Sequence, residues 1–113
     1  MGDPASIGPE VTVKAMADAS VLETCRPVVV GDAAVLQQAL DTCGLDLAIN
    51  ACADIAEARH EPGVIDVFDL ANVDLDALRP GEVSAMCGAA SFEYVVKNIE
   101  LAMSGLVDGT VTG

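Results

Sequence analysis

Hydrophobic positions along the chain switch between two periods. From Pro9 to about Ala19, the residues Val11, Val13, Ala15, Met16 and Ala19 fit a helix with one packed face. Arg26-Pro27 breaks that pattern. Val28-Val29-Val30 then forms an unbroken β-branched run, closed by Gly31-Asp32. A run apolar on both faces predicts a short strand buried in a parallel sheet. Asp32 is a cap for the next helix. Val35, Leu36, Ala39 and Leu40 carry that helix from about Ala33 to Cys43, and Gly44 follows where a helix often ends in a left-handed residue.

Farther along, Leu45 to Ala51 alternates in part and predicts a weaker strand. Asp54 to His60 fits a short helical turn or a loop. Pro62-Gly63 marks a turn before a strand over Val64-Ile65-Asp66-Val67-Phe68. Leu70 to Val83 is acidic, contains Pro80-Gly81, and reads as a loop or an edge ribbon. Gly88-Ala89-Ala90-Ser91 opens the longest helix, in which Phe92, Val95, Val96, Ile99, Ala102 and Met103 form one apolar stripe. Gly105 stops it, and Leu106 to Thr112 reads as a final strand. Strands and helices in this order predict an α/β fold with a layered sheet.

Composition supports that layering. Hydrophobic residues make up 52% of the chain, with Ala, Val and Leu dominant and no Trp, so small side chains must make the layer contacts. The 113 residues suffice for one small domain. No apolar run approaches the roughly 20 residues of a membrane span, and no basic-flanked apolar leader opens the chain. A cytoplasmic protein that does not engage membranes is the expectation. Eighteen acidic residues against five basic ones give a formal charge of −13, and Lys14, Arg26, Arg59, Arg79 and Lys97 are scattered. Phosphate backbones would be repelled, so nucleic acid is excluded as a partner. Cys25, Cys43, Cys52 and Cys87 form no CxxC pair, and His60 is the lone histidine, so no zinc site is expected within the chain. The thiols are expected reduced and buried, and His60 at the surface.

The densest turn is the first ten residues, Gly2-Asp3-Pro4-Ala5-Ser6-Ile7-Gly8-Pro9-Glu10. Glycines supply backbone freedom and prolines restrict it. Gly8 fits an N-cap, Pro9 a first helical position, and Glu10 the positive end of the helix dipole. Such a corner suits a backbone held close to a ligand; a well-capped turn without one is the alternative. A strand-to-helix turn calls for a strand before it, and the final strand stops where a further loop should begin. The chain therefore reads as a single, incomplete N-terminal α/β domain over residues 1–113. In open α/β sheets ligands bind beyond the carboxyl ends of the strands.

These residues resemble a known family. Residues 2–10 are similar to the signature GDPAGIGPE of 4-hydroxythreonine-4-phosphate dehydrogenases. Val28-Val29-Val30-Gly31-Asp32, Pro80-Gly81-Glu82-Val83-Ser84, Gly88-Ala89-Ala90 and Val107-Asp108-Gly109-Thr110-Val111-Thr112-Gly113 match in the same order. The resemblance implies an NAD-dependent, metal-assisted oxidation and decarboxylation of 4-phosphohydroxy-L-threonine in pyridoxal phosphate synthesis. It also implies a homodimer of two-domain subunits with an isocitrate/isopropylmalate dehydrogenase-like fold. The metal (Zn, Mg or Co) and the substrate phosphate would be held by groups outside this chain. Ser6 stands where the family has glycine, at a cost of about 1 kcal/mol or more if the backbone there is left-handed.

The resemblance makes Gly2, Asp3, Ile7, Gly8 and Glu10 candidates for the wall of a cofactor cleft. Asp3 and Glu10 would be polar anchors, better suited to a ribose hydroxyl than to a phosphate. Asp3 capping loop amides and Glu10 balancing the helix dipole are the structural alternatives. Thr112 lies at the expected end of the last strand. Close relatives of the family act on four-carbon sugar-acid phosphates, threonate or erythronate 4-phosphate. A non-catalytic acidic binding module or an inactive fragment is the reading from a different class. By itself the chain offers no cationic phosphate clamp or metal set and is expected to be inactive.

Overall fold

The computed structural model describes residues 1–112. The elements run α1 (Gly8–Met16), α2 (Ala19–Thr24), β1 (Val29–Gly31), α3 (Ala33–Cys43), β2 (Ala48–Cys52), a 3-10 turn (Ile55–Glu57), β3 (Val64–Asp69) and α4 (Ala85–Met103). The three strands form one parallel sheet in the order β1-β3-β2. Val29 pairs with Val67 on one side of β3, and Ala51 pairs with Val67 on the other. Ile65, Asp66 and Val67 are consecutive and all buried, so both faces of β3 are covered. α3 packs on β2 and β3, α4 packs on β1, and α1 lies against α3. The fold is α/β, as the periodicities predict.

α3 is the element that sequence describes best. Asp32 caps it by accepting from Ala34 N and Val35 N at 3.0 and 3.1 Å. Gly44 closes it with φ 64°, and the buried residues are Val35, Leu36, Ala39 and Leu40.

Elsewhere the boundaries move. The first helix stops at Met16, and Asp18 caps a separate six-residue helix whose side chains are not buried. Gly8 is the first residue of α1, and Ile7 occupies the N-cap without a side-chain bond. The long helix begins at Ala85, because Ser84 caps it by accepting from Cys87 N at 3.1 Å.

Two expectations are overturned. Leu106 to Thr112 contains no strand. A strand requires a neighbour to pair with, and among the described residues the sheet is made by β1, β3 and β2 alone. The α4 stripe also faces the other way. Cys87, Ala90, Tyr94 and Leu101 are the buried residues, whereas Phe92, Val95, Val96, Ile99 and Met103 are exposed. α4 is apolar on two sides, and the sheet takes the side that carries Tyr94.

Candidate functional site

The opening turn is held from both ends. The Met1 amino group donates to Val30 O at 3.0 Å, so Met1 lies beside β1 near its carboxyl end. Burial there lowers the pKa of that amino group. Gly2 has φ 81°, which suits glycine. Asp3 Oδ1 accepts from Ala5 N at 2.8 Å, and Ser6 N donates to Asp3 O at 3.1 Å, closing a tight turn. Gly81 N donates to Ala5 O at 2.7 Å and ties the turn to the loop before α4. A Cβ on Gly8 would collide with the Met1 carbonyl oxygen, so glycine is required there by packing within the turn. Ser6 is not among the left-handed residues and carries no such strain; among the described residues the non-glycine ones there are His60 and Ala71.

The candidate residues are therefore close together, but not in one cavity. Gly2 lines a small concavity of about 60 Å³ together with Tyr94, Asn98 and Thr112. Asp3, Ile7, Gly8 and Glu10 do not line it. Ile7 is 70% exposed. Glu10 sits in the first turn of α1, where its charge meets the helix dipole. A larger cleft of about 310 Å³ opens between Asp54, Phe68, Lys97 and Leu101, away from the opening turn. Lys97 is its one cation. It pairs with Glu100 and stands 5.7 Å from the Phe68 ring centre, so its charge is already partnered.

Carboxylates in and beside the sheet hold more backbone than the expected Asp32 cap alone. Asp32 Oδ2 accepts from Val73 N at 3.0 Å, in addition to the α3 cap. Asp69 Oδ1 accepts from Ala33 N and from Ala71 N, each at 3.0 Å. Asp66, buried in the central strand, accepts from Arg59 N at 2.9 Å, His60 N at 2.8 Å and Asn50 Nδ2 at 2.7 Å. Burial works against its ionisation, but these donors and the nearby His60 outweigh it and hold the carboxyl below the ordinary value. His60 is half-buried rather than on the surface; its Nδ1 is 3.7 Å from Asp66. The signal for Asp66 was a single acid inside the apolar run Val64-Ile65-Asp66-Val67-Phe68. These carboxylates hold loop backbone, including the left-handed His60 and Ala71, and their oxygens are largely used.

Other groups are equally unsuited to chemistry. Burial, then the charges of Asp66 and Glu57, push the Cys52 thiol up, so it is held protonated rather than as a nucleophilic thiolate. Burial and the charges of Asp32, Asp69 and Glu93 push the Tyr94 hydroxyl up, and it donates to Asn72 Oδ1 at 2.9 Å. Of the four thiols, Cys52 and Cys87 are buried while Cys25 is exposed. Among the described residues no group of three or more His, Cys, Asp or Glu could hold a metal ion, so the residues present do not fit a metal centre.

Comparison with known proteins sets this arrangement in a family. A proposed D-threonate 4-phosphate dehydrogenase of Symbiobacterium thermophilum is 45% identical over 113 residues, all of this chain and 34% of that protein. A Fusobacterium nucleatum protein given the same proposed activity is 46% identical over 112 residues, 99% of this chain and 34% of that protein. The crystal structure of a 4-hydroxythreonine-4-phosphate dehydrogenase from Burkholderia phymatum superposes with a TM-score of 0.92 at 44% identity, over 96% of this chain and 32% of that one. Its counterpart from Klebsiella pneumoniae gives 0.85 at 37% identity, over 95% of this chain and 32% of that one. The chain thus spans about a third of the length of the relatives it matches. No described helix is long and apolar enough to cross a membrane. Residues 23–113 match the sequence profile of the pyridoxal phosphate biosynthetic protein PdxA, and the chain belongs to that family.

Proposed function

We propose that this chain forms the opening lobe of an NAD-dependent, metal-assisted dehydrogenase acting on a phosphorylated hydroxy acid. The observation that carries the reading is similarity over the whole chain, at 45% identity, joined to a TM-score of 0.92 against a dehydrogenase structure. The substrate is D-threonate 4-phosphate or 4-phosphohydroxy-L-threonine. The curated relatives' names favour the first and the solved structures' names the second. The complete enzyme would work as a cytoplasmic homodimer.

Within this lobe the opening turn supplies a rigid backbone at the carboxyl side of the sheet, where α/β folds place their ligands. Gly2, Asp3, Ile7, Gly8 and Glu10 form one wall of the cofactor cleft, and Asp3 Oδ2 and the Glu10 carboxylate are its polar anchors. Asp3 Oδ1 is already committed to Ala5 N, which fixes the side chain's direction. In this reading the metal ligands and the phosphate clamp come from residues outside this chain.

Two measurements test the reading. In the Symbiobacterium relative, alanine at the position aligned with Asp3 lowers kcat/KM roughly tenfold or more with the fold intact; unchanged kinetics would remove Asp3 from the site. The isolated chain, given NAD, a divalent metal and either substrate, forms no NADH. Turnover by the chain alone would overturn the assignment of the chemistry to groups elsewhere.

A further inference from the structure

Residues 53–60, with the 3-10 turn Ile55–Glu57 inside them, form a strap over one face of the sheet. Asn50 pairs with Asp66 and Cys52 with Phe68, so alternation puts these four side chains on one face and the buried Ile65 and Val67 on the other. The strap crosses the first of these faces: Arg59 N and His60 N donate to Asp66, and Asn50 Nδ2 donates to Glu57 O at 3.1 Å. α4 shares that face. The cleft of about 310 Å³ is lined by Asp54 and Ile55 from the strap, Lys97 and Leu101 from α4, and Phe68 from the sheet.

Hydrogen bonds, and little apolar contact, hold the strap down. Its 3-10 turn buries no residue, and Ile55 is the strap residue that packs against the core. Cys52 is 2% exposed yet lies outside the continuous hydrophobic core, so its cover is the strap. His60 is left-handed at φ 52°, a conformation that persists in a residue with a β-carbon when its neighbours impose it. Its Nδ1 is buried without a hydrogen bond, 3.7 Å from Asp66. Segments with few buried apolar contacts open at a lower cost than the fold as a whole. We propose that residues 53–60 are a lid latched by Asp66: they lift off an intact sheet as a unit, and their opening extends the cleft beside Phe68 onto Asn50 and Cys52. The proposal goes beyond the dehydrogenase reading and does not depend on it.

Thiol reactivity tests it. Cys52 reports the lid, and Cys87, inside the core, reports global opening. With iodoacetamide at rising sub-denaturing urea, Cys52 reacts about tenfold faster than Cys87 or more, and its rate varies little with urea because a small opening exposes little surface. Leu36→Ala speeds Cys87 and leaves Cys52 within about twofold. Asp66→Asn, which turns one accepting oxygen into a donor, speeds Cys52 by about tenfold or more. Hydrogen exchange at the Arg59 and His60 amides shows the urea dependence of Cys52, and the amides that join β2 to β3 show that of Cys87. Equal urea dependence at the two thiols, equal acceleration of both by Leu36→Ala, or a Cys52 rate indifferent to Asp66→Asn overturns the proposal. So does exchange of the β2–β3 amides together with those of Arg59 and His60, because the edge strand then frays with the strap. Should either variant fail to fold, the urea series on the unaltered chain decides, together with Asn50→Ala. That variant removes the bond to Glu57 O and must speed exchange at Arg59 and His60.

Discussion

α3 and α4 have comparable apolar content and opposite situations. α3 buries Val35, Leu36, Ala39 and Leu40 against the sheet and α1 and turns Gln37, Gln38, Asp41 and Thr42 to water. Its one stripe therefore identifies its one buried face. α4 buries Cys87, Ala90, Tyr94 and Leu101 while Phe92, Val96, Ile99 and Met103 stay outside. An apolar stripe shows that a helix has a partner. When a helix has two stripes, periodicity does not say which of them meets the sheet. Here Tyr94 decides, because its hydroxyl finds Asn72 and its ring enters the core.

Stability measurements can break that contrast, most forcefully at Leu36. This α3 residue is fully buried, and Leu36→Ala should cost about 2–5 kcal/mol by denaturant unfolding. A cost near zero would mean that the α3–sheet contact does not hold the chain together. Next is Asp66. Asp66→Ala strands the amides of Arg59 and His60 and leaves Asn50 Nδ2 with Glu57 O, for about 1–3 kcal/mol. Because the folded-state pKa of Asp66 lies below the model-peptide value of 3.8, its contribution is fully present above that pH. It is lost as the pH falls through the lower folded value. Asp66→Asn should therefore flatten the acid limb of a stability–pH profile, and an unaltered limb would contradict the network's role. The smallest effect is expected on the outer face of α4, where Ile99→Ala in the isolated chain should stay within about 0.5 kcal/mol. A larger loss would show that this face is already packed.

Local signals made much of this structure legible. Asp32 and Gly44 bound α3 because capping is decided within a few residues. α2 escaped notice since it buries nothing and so leaves no periodic trace beyond its Asp18 cap. Gly88 resembles a helix boundary in the sequence, but Ser84 supplies the cap and α4 starts at Ala85. Leu106 to Thr112 has strand-forming residues without a strand, since pairing depends on a neighbour that local composition does not reveal. Of the candidate site, the turn and its glycines were readable. The carboxylate network was not, because Asp66 meets Asn50 only through strand register and meets the 59–60 loop only after the chain doubles back.

The most direct test of the account replaces the matched third of the Symbiobacterium relative with this chain and follows NADH formation from D-threonate 4-phosphate with NAD and a divalent metal. A lobe that shapes the cleft while the working groups lie elsewhere predicts a folded hybrid that turns over. A hybrid with native-like circular dichroism but no activity, beside an active parent, would contradict it.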